Sequence, residues 1–186
     1  MARSFRGRFP QKMDVKGRVS VPARFRRVLE AGDPDWKDAV ADGQTDARAQ
    51  FTIVYGEPDQ KFFECYTVDT IYEVDDMISE MSRGDPDRKD LEDLYHLNSV
   101  EVEIDNDGRV MLSKEMRAKL GLEPKELLLF TGAGDTFKIW KTSTFDADQK
   151  SHAKRISPDR PDDFDARSLL PPRRRRTAPD VNRDGE

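Results

Sequence analysis

Basic side chains concentrate at the start of the chain, and two of them flank a glycine that is typical of a tight turn. Residues 1–30 contain nine basic and two acidic residues, although the 186-residue chain has a formal net charge of −5. Lys16 and Arg18 lie on either side of Gly17. A turn glycine fixes the directions of its neighbours, and an arginine held in this way can contact O6 and N7 of guanine. The charge asymmetry therefore predicts a basic face for nucleic acid on an otherwise acidic body.

Other basic residues are candidates for phosphate contacts, which position a nucleic acid without reading its sequence. They are Arg6, Arg8, Arg24 and Arg26. The alternative is structural, since Arg18 and Arg109 could instead form ion pairs with Asp14 and Asp105. For Lys16 and Arg18 we favour contact with DNA, whereas for Arg26 and Arg109 both roles stay open.

The segment around Gly17 recurs 91 residues later, which indicates a duplicated unit. Residues 14–29 read DVKGRVSVPARFRRVL and residues 105–120 read DNDGRVMLSKEMRAKL. The six identical pairs are Asp14/Asp105, Gly17/Gly108, Arg18/Arg109, Val19/Val110, Arg26/Arg117 and Leu29/Leu120. Aspartate at the first and glycine at the fourth position favour a type I turn. Asp107 replaces Lys16 in the second copy, which predicts that the second turn binds DNA more weakly.

Hydrophobic patterning predicts the elements that hold these turns. Each copy reads as a strand, the turn, a second strand and a short helix, and Phe25, Val28 and Leu29 form one apolar helix face. A further hairpin is predicted after each copy, from residues 51–55 with 61–66 and from residues 127–130 with 136–140. Helices are predicted at 71–82 and 87–97. Four short strands bury little apolar surface alone, so the two copies are expected to pair with each other.

The predicted fold class is α+β, with two tandem strand-turn-strand-helix repeats and connecting helices. The first repeat covers residues 7–70 and includes an insertion at 30–50 that shows no convincing pattern. Connecting helices occupy 71–97, and the second repeat covers 98–144. Residues 146–186 are polar and rich in proline, arginine and aspartate, so we expect a disordered tail. Its four-arginine run at 173–176 is interpreted as solvated.

The arrangement of these residues resembles the MraZ family of bacterial transcriptional regulators. An FRG tripeptide precedes the pattern D-x-K-G-R-x-x-x-P-x-x-x-R, here Phe5-Arg6-Gly7 and then Asp14, Lys16, Gly17, Arg18, Pro22 and Arg26. The resemblance covers about residues 3–145. It implies a swapped-hairpin β-barrel of two SpoVT-AbrB-type repeats and a ring-like homo-oligomer. It also implies binding to direct repeats in the promoter of the division and cell-wall gene cluster, usually with repression.

Competing functions receive less support from the residues. Asp105 and Asp107 are the acid–base candidates of an enzyme, but they occupy turn positions with an evident structural use, so no catalytic activity is expected. An RNA-binding or structural ring-forming protein is the alternative. Proteins that bind RNA generally expose stacking aromatics, and Phe5 and Phe9 are the candidates for that role in the basic segment.

The sequence predicts no cofactor, metal, small-molecule substrate or membrane partner. His96 and His152 are isolated, and the single Cys65 lies in an apolar strand and cannot complete a zinc site. No apolar run approaches the roughly 20 residues that span a bilayer. The first residues also lack the apolar core of a secretory signal. A cytoplasmic, nucleoid-associated protein is therefore expected.

Overall fold

The computed structural model describes residues 4–56, 59–156 and 166–171. The strands are β1 (Arg8–Lys12), β2 (Arg18–Ser20), β3 (Gln50–Val54), β4 (Phe62–Thr67), β5 (Ser99–Glu103), β6 (Arg109–Met111), β7 (Leu127–Gly132) and β8 (Thr136–Lys141). The helices are α1 (Ala23–Ala31), α2 (Pro34–Ala41), α3 (Val68–Glu80), α4 (Pro86–Glu92), α5 (Lys114–Lys119) and α6 (Thr142–Ile156), with a π-helical turn at Asp93–Leu97 and a 3₁₀ turn at Ala166–Leu169. The fold class is α+β, as predicted.

The strand order shows that the two halves of the chain exchange strands. The larger sheet has the order β1-β7-β8-β4-β3-β5, while β2 and β6 form a separate two-stranded ribbon. The first strand of each half pairs with the third strand of the other half, β1 with β7 and β5 with β3, and all of these pairings are antiparallel. Each strand has a counterpart in the other half, β1 with β5, β3 with β7 and β4 with β8. When counterparts are exchanged, the order read from one edge equals the order read from the other. Neither half therefore forms its sheet alone.

The larger sheet is open, which corrects the closed β-barrel implied by the family resemblance. Among the described residues, β1 and β5 each pair with one neighbouring strand and form the two edges. After each edge strand the chain enters a tight turn and continues into β2 or β6. These strands have three residues each and pair with each other instead of closing the sheet.

An aromatic cluster forms the centre of the main core. The ring of Phe137 lies between 4.9 and 5.9 Å from the rings of Phe5, Phe25, Phe51 and Phe130, measured between ring centroids. All five side chains are at most 1% exposed. They come from both halves of the chain, so burial of this cluster stabilises the exchanged pairing of the strands.

Helix α2 lies inside the insertion at residues 30–50, where the sequence showed no convincing pattern, so this helix was not predicted. Asp33 caps α2 by accepting a hydrogen bond from the backbone N–H of Trp36, at 3.1 Å. Its other carboxylate oxygen accepts the backbone N–H of Gln50, at 2.7 Å. The buried Asp33 thus ties both ends of the segment together. No residue of α2 is buried, which explains why hydrophobic periodicity did not reveal this helix.

The connecting helices occupy the region where hydrophobic patterning placed them. The hydroxyl of Thr67 caps α3 through the backbone N–H of Thr70, at 3.1 Å. Asp85 caps α4, with Pro86 at the first helical position. A second apolar cluster packs these elements on the sheet, and it contains Val54, Tyr66, Ile71, Val74, Leu94 and Tyr95. The tyrosine rings meet edge to face at 5.9 Å.

The chain divides into two compact units, residues 1–149 and 150–186. Helix α6 extends through Ile156 and so includes residues 146–156 of the segment for which a disordered tail was predicted. The first turn of this helix is anchored because Phe145 is buried and meets the ring of Trp140 at 5.5 Å. Residues 157–165 and 172–186 of the predicted tail, including the arginine run at 173–176, lie outside the described residues. Within the described parts of the chain, no helix is long and apolar enough to cross a membrane.

The shared aromatic cluster predicts a large stability loss for Phe137→Ala. Removing a ring that contacts four others leaves a cavity, so we expect the free energy of unfolding to fall by about 3–5 kcal/mol. Urea denaturation followed by circular dichroism measures this change. The control is Met77→Ala, because Met77 is 60% exposed, and its effect should stay within about 0.5 kcal/mol. Equal effects of the two substitutions would contradict a central role for the cluster.

Candidate nucleic-acid interface

The first turn holds Arg18 through the carboxylate of Asp14. One carboxylate oxygen accepts the backbone N–H groups of Lys16 and Arg18, at 2.8 and 2.9 Å. The other accepts Nε of Arg18 at 2.7 Å. The backbone N–H of Gly17 donates to the carbonyl of Asp14, and Gly17 has φ +90°, in the left-handed region that favours glycine. Both the backbone and the guanidinium of Arg18 are thus oriented by one side chain.

The second turn repeats this geometry at Asp105 and Arg109. The carboxylate of Asp105 accepts the backbone N–H of Asp107 at 3.0 Å and that of Arg109 at 2.8 Å. It also accepts Nε of Arg109, at 3.1 Å. Gly108 occupies the turn position with φ +75°. Both arginines therefore form the ion pairs with the turn aspartates that were considered as their structural role.

These hydrogen bonds keep the turn carboxylates ionised. The backbone N–H of Arg18, together with its guanidinium and the backbone N–H of Lys16, lowers the pKa of Asp14 from 3.8 to about 2, against the opposing effect of burial. For Asp105, partial burial acts to raise the pKa, but the hydrogen bonds from Arg109 outweigh it and the pKa is lowered. The hydrogen bond to Asp105 in turn raises the pKa of Arg109.

The β2–β6 ribbon places Arg18 and Arg109 on one outer face. Val19 pairs with Val110, and both side chains are 1% exposed on the inner face. Arg18 lies opposite Met111, and Arg109 lies opposite Ser20. Residues paired in this way share a face, and diagonal neighbours are about 7–8 Å apart. Pairing of the two halves therefore brings together two arginines that are 91 positions apart in the sequence.

The two arginines differ in the freedom of their guanidinium groups. In the described part of the chain, Arg18 uses only Nε in side-chain hydrogen bonds, so both of its Nη nitrogens are without a protein partner. Arg109 also donates from Nη2 to the carboxylate of Asp107. At the equivalent position of the first turn, Lys16 is exposed and positive. Of these two arginines, Arg18 can therefore present both Nη nitrogens to a base without breaking an ion pair, whereas Arg109 cannot.

An arginine from the opposite half lies against each turn glycine. A Cβ atom added to Gly17 would lie 2.9 Å from Nε of Arg117, and one added to Gly108 would overlap the guanidinium of Arg26. At Gly17 the backbone carbonyl of Leu112 lies equally close, so packing requires glycine there, whereas at Gly108 the positive φ favours it. Arg26 was among the predicted site residues, whereas Arg117 was missed. Its equivalence to Arg26 across the 91-residue shift was the signal that could have identified it.

The remaining predicted residues lie outside the two turns. Arg24 is exposed on α1 and borders a shallow depression with Ser4, Arg27 and Val28. Arg6 precedes β1 and Arg8 is its first residue. The six steps of extended chain from Arg8 to Asp14 span about 20 Å. The guanidinium of Arg8 covers the ring of Phe145 at 5.0 Å. The structure thus groups only part of the predicted basic face around the turns.

Comparison with known proteins identifies the family. A family model described as "MraZ protein, putative antitoxin-like" matches residues 96–166. A transcriptional regulator MraZ from Ruegeria pomeroyi is 43% identical over 91% of this chain and 96% of its own length. A relative of the same name from Acidithiobacillus ferrooxidans is 33% identical over 79% of this chain and 89% of its own length. The chain belongs to the MraZ family.

Membership of the MraZ family confirms the resemblance drawn from the paired turns. The matched relatives are named as transcriptional regulators, so the chain belongs to a family of regulators rather than of enzymes. Asp105 and Asp107 then have the structural use that was expected from their turn positions, because both hold Arg109. The contact of individual residues with DNA stays a prediction.

The lowered pKa of Asp14 predicts a pH-dependent loss of stability in Asp14→Asn. A carboxyl group whose pKa is lower in the folded than in the unfolded chain stabilises the fold above its unfolded pKa, here 3.8. This contribution disappears as the pH falls towards 2. We therefore expect the variant to be less stable near neutral pH and to approach the wild type between about pH 4 and 2. Urea denaturation at a series of pH values measures the difference.

The matched control for this titration is Asp38→Asn. Asp38 is exposed on α2, and its side chain makes no hydrogen bond within the described residues, so this variant should follow the wild type throughout. A stability difference for Asp14→Asn that is independent of pH would show that the carboxylate does not act through its charge.

Proposed function

We propose that this chain is a transcriptional regulator that binds double-stranded DNA through the outer face of the β2–β6 ribbon. The observation that carries the proposal is the placement of Arg18 and Arg109 on one exposed face, each oriented by a turn aspartate. The major groove admits a two-stranded β-ribbon, and arginine pairs with guanine through two parallel hydrogen bonds. A rigid pair of arginines on a ribbon suits this mode of base recognition.

The unequal environments of the two arginines support a division of roles. Arg18 has two unengaged Nη nitrogens and an adjacent Lys16, so we assign it the contact with a guanine edge. The carboxylate of Asp107 holds Arg109 and lowers the local potential, so the second turn contributes less. Arg24 and Arg26 are proposed phosphate contacts, as are Arg6 and Arg8 at the far end of β1, where they could reach the backbone beyond the base-reading site.

The environments of Phe5 and Phe9 favour DNA over the alternative of RNA. Recognition of single-stranded RNA generally uses exposed aromatic rings on which bases stack. Phe5 is 1% exposed, and Phe9 packs on the core, where its ring meets that of Phe25 at 5.2 Å. Both rings therefore serve the fold. A direct comparison of duplex DNA with RNA of the same sequence separates these functions.

The finer assignment follows the resemblance to the MraZ family. We propose that the two halves are SpoVT-AbrB-type repeats and that the chain assembles into a ring-like homo-oligomer on the nucleoid in the cytoplasm. Its proposed sites are direct repeats in the promoter of its own division and cell-wall gene cluster, which it represses. The open edges at β1 and β5 supply unpaired backbone groups and are available for contacts between copies.

The proposed contact with guanine predicts a specific loss of affinity in Arg18→Ala. Loss of a bidentate contact should cost about 1–3 kcal/mol per engaged subunit and relax the preference at one base position. Arg24→Ala, which removes a phosphate contact, should weaken binding to all sequences similarly. Arg109→Ala should have a smaller effect than Arg18→Ala because of Asp107. Fluorescence anisotropy with the duplex upstream of its own gene and with a shuffled duplex measures each change.

Each variant is first compared with the wild type by circular dichroism and light scattering, so that loss of the fold is not mistaken for loss of a contact. If folded Arg18→Ala prefers the promoter duplex as strongly as the wild type does, the assignment of Arg18 is wrong. If the wild type does not distinguish the promoter duplex from the shuffled one, the proposed sequence-specific function itself fails.

The proposed assembly predicts a large homo-oligomer at micromolar concentration. Two open sheet edges favour association through further strand or side-chain contacts. Multi-angle light scattering after size exclusion measures the mass of the particle. A stable monomer of 21.4 kDa would contradict the proposal.

A further inference from the structure

Each turn of the ribbon is built from both halves of the chain. The backbone N–H of Leu112 donates to the carbonyl of Gly17, and that of Val21 donates to the carbonyl of Gly108, both at 2.9 Å. These hydrogen bonds bring the start of each helix beside the turn of the other half. Arg117 on α5 thus contacts the backbone between Lys16 and Arg18, and Arg26 on α1 contacts Gly108.

Arg26 and Arg117 lack the carboxylate partners that neutralise Arg18 and Arg109. Within the described residues, neither forms an ion pair. Nε of Arg117 makes one long hydrogen bond, 3.4 Å, to the carbonyl of Ser113 in its own helix. Nε of Arg26 is buried and has no hydrogen-bond partner in the described part of the chain. Both guanidinium groups therefore keep N–H donors that no carboxylate of the described residues engages, and such donors can form charge-assisted hydrogen bonds with an anion.

The groups around the two turns differ in charge. Lys16, Arg18 and Arg117 surround the first turn, and within the described residues Asp14 is the carboxylate that forms an ion pair there. At the second turn, Arg109 and Arg26 are opposed by two carboxylates, from Asp105 and Asp107. The first cluster therefore has an excess of two positive charges, whereas the second is balanced. An anion is attracted mainly to the first cluster.

We propose that Arg117 binds a phosphate of the DNA backbone beside Arg18, so that the helix of one half completes the DNA-binding turn of the other. Arg26 occupies the equivalent position at the second turn and contributes less because of the two carboxylates there. This proposal rests on the proposed binding of DNA by the ribbon. The phosphodiester is the expected ligand because its paired oxygens match the planar fork of a guanidinium.

This arrangement couples base recognition to the pairing of the halves. Arg18 is positioned by the first half, whereas the phosphate contact that fixes its register on the duplex comes from the second half. A phosphate contact orients the protein without reading the sequence. Arg117 is therefore a positioning residue for a contact that Arg18 makes, and its loss should leave the base preference unchanged.

The test is the salt dependence of DNA binding by Arg117→Gln. Neutralising one phosphate makes the slope of log affinity against log salt concentration steeper by about 0.9. The variant should therefore show a slope less steep by about this amount per engaged subunit, with similar loss of affinity for promoter and shuffled duplexes. Arg117→Lys restores the charge and should restore the slope. Fluorescence anisotropy at several salt concentrations measures the slope for each of the two variants, on the promoter duplex and on the shuffled duplex.

Arg83→Gln is the matched control, because Arg83 is exposed between α3 and α4 and its substitution changes the net charge by the same amount. This variant should bind as the wild type does. If Arg117→Gln does not fold, Arg117→Met provides a neutral side chain that keeps the apolar stem against Gly17. A folded neutral variant with the slope of the wild type overturns the inference.

The failure of the inference is distinguishable from the failure of the proposed function. If the wild type and Arg83→Gln bind the promoter duplex specifically while Arg117→Gln is indistinguishable from them, only the role of Arg117 is refuted. If Arg117→Gln changes specificity rather than the salt slope, Arg117 contacts a base and the phosphate assignment is wrong. If the wild type does not bind duplex DNA at all, the function proposed for the ribbon is refuted.

Discussion

The backbone hydrogen bonds that cross at the two turn glycines are the constraint on which the rest of the structure depends. The carbonyls of Gly17 and Gly108 accept N–H groups from the opposite half. They hold β2 against β6, start each helix beside the other turn and place both arginines on one face. A side chain at Gly17 would meet the carbonyl of Leu112 at 2.9 Å as well as Arg117. Glycine is thus required by close packing as well as by its positive φ.

The local part of this arrangement could be predicted from the sequence. Aspartate and glycine three residues apart specify a turn through their own hydrogen bonds, and alternating apolar residues specify the adjoining strands. The fold class and the pairing of the two copies follow from the short length of each unit. The turns and strands depend on interactions between residues that are close in the sequence, so they can be predicted from the local order of residue types.

The parts that could not be predicted depend on contacts distant in the sequence. Helix α2 has no buried face, and it is held by Asp33, whose second partner is the backbone of Gln50. The open edges of the sheet follow from the pairing of β2 with β6, which no local pattern specifies. Arg117 acquires its position only because α5 begins beside the turn of the other half. The repeat showed its equivalence to Arg26 but not which turn it would contact.

The distribution of charge explains how an acidic chain can present a basic surface. Residues 68–97 contain ten acidic and three basic residues and form the connecting helices. None of these acidic residues belongs to the first turn, so the net charge of −5 does not describe the field at the ribbon. Charges separated by more than about 8 Å are largely screened at physiological salt. A phosphate close to the ribbon therefore responds mainly to Lys16, Arg18 and Arg117.

Duplication within one chain allows the two turns to differ while their backbone geometry stays the same. In an assembly of identical half-length chains, every turn would have the same side chain at the position of Lys16 and Asp107. Here the lysine leaves one guanidinium accessible, and the aspartate engages Nη2 of the other. The second half still supplies Leu112 and Arg117 to the first turn, so its structural contribution does not require its own turn to bind DNA. One turn can then be optimised for recognition while the other stabilises it.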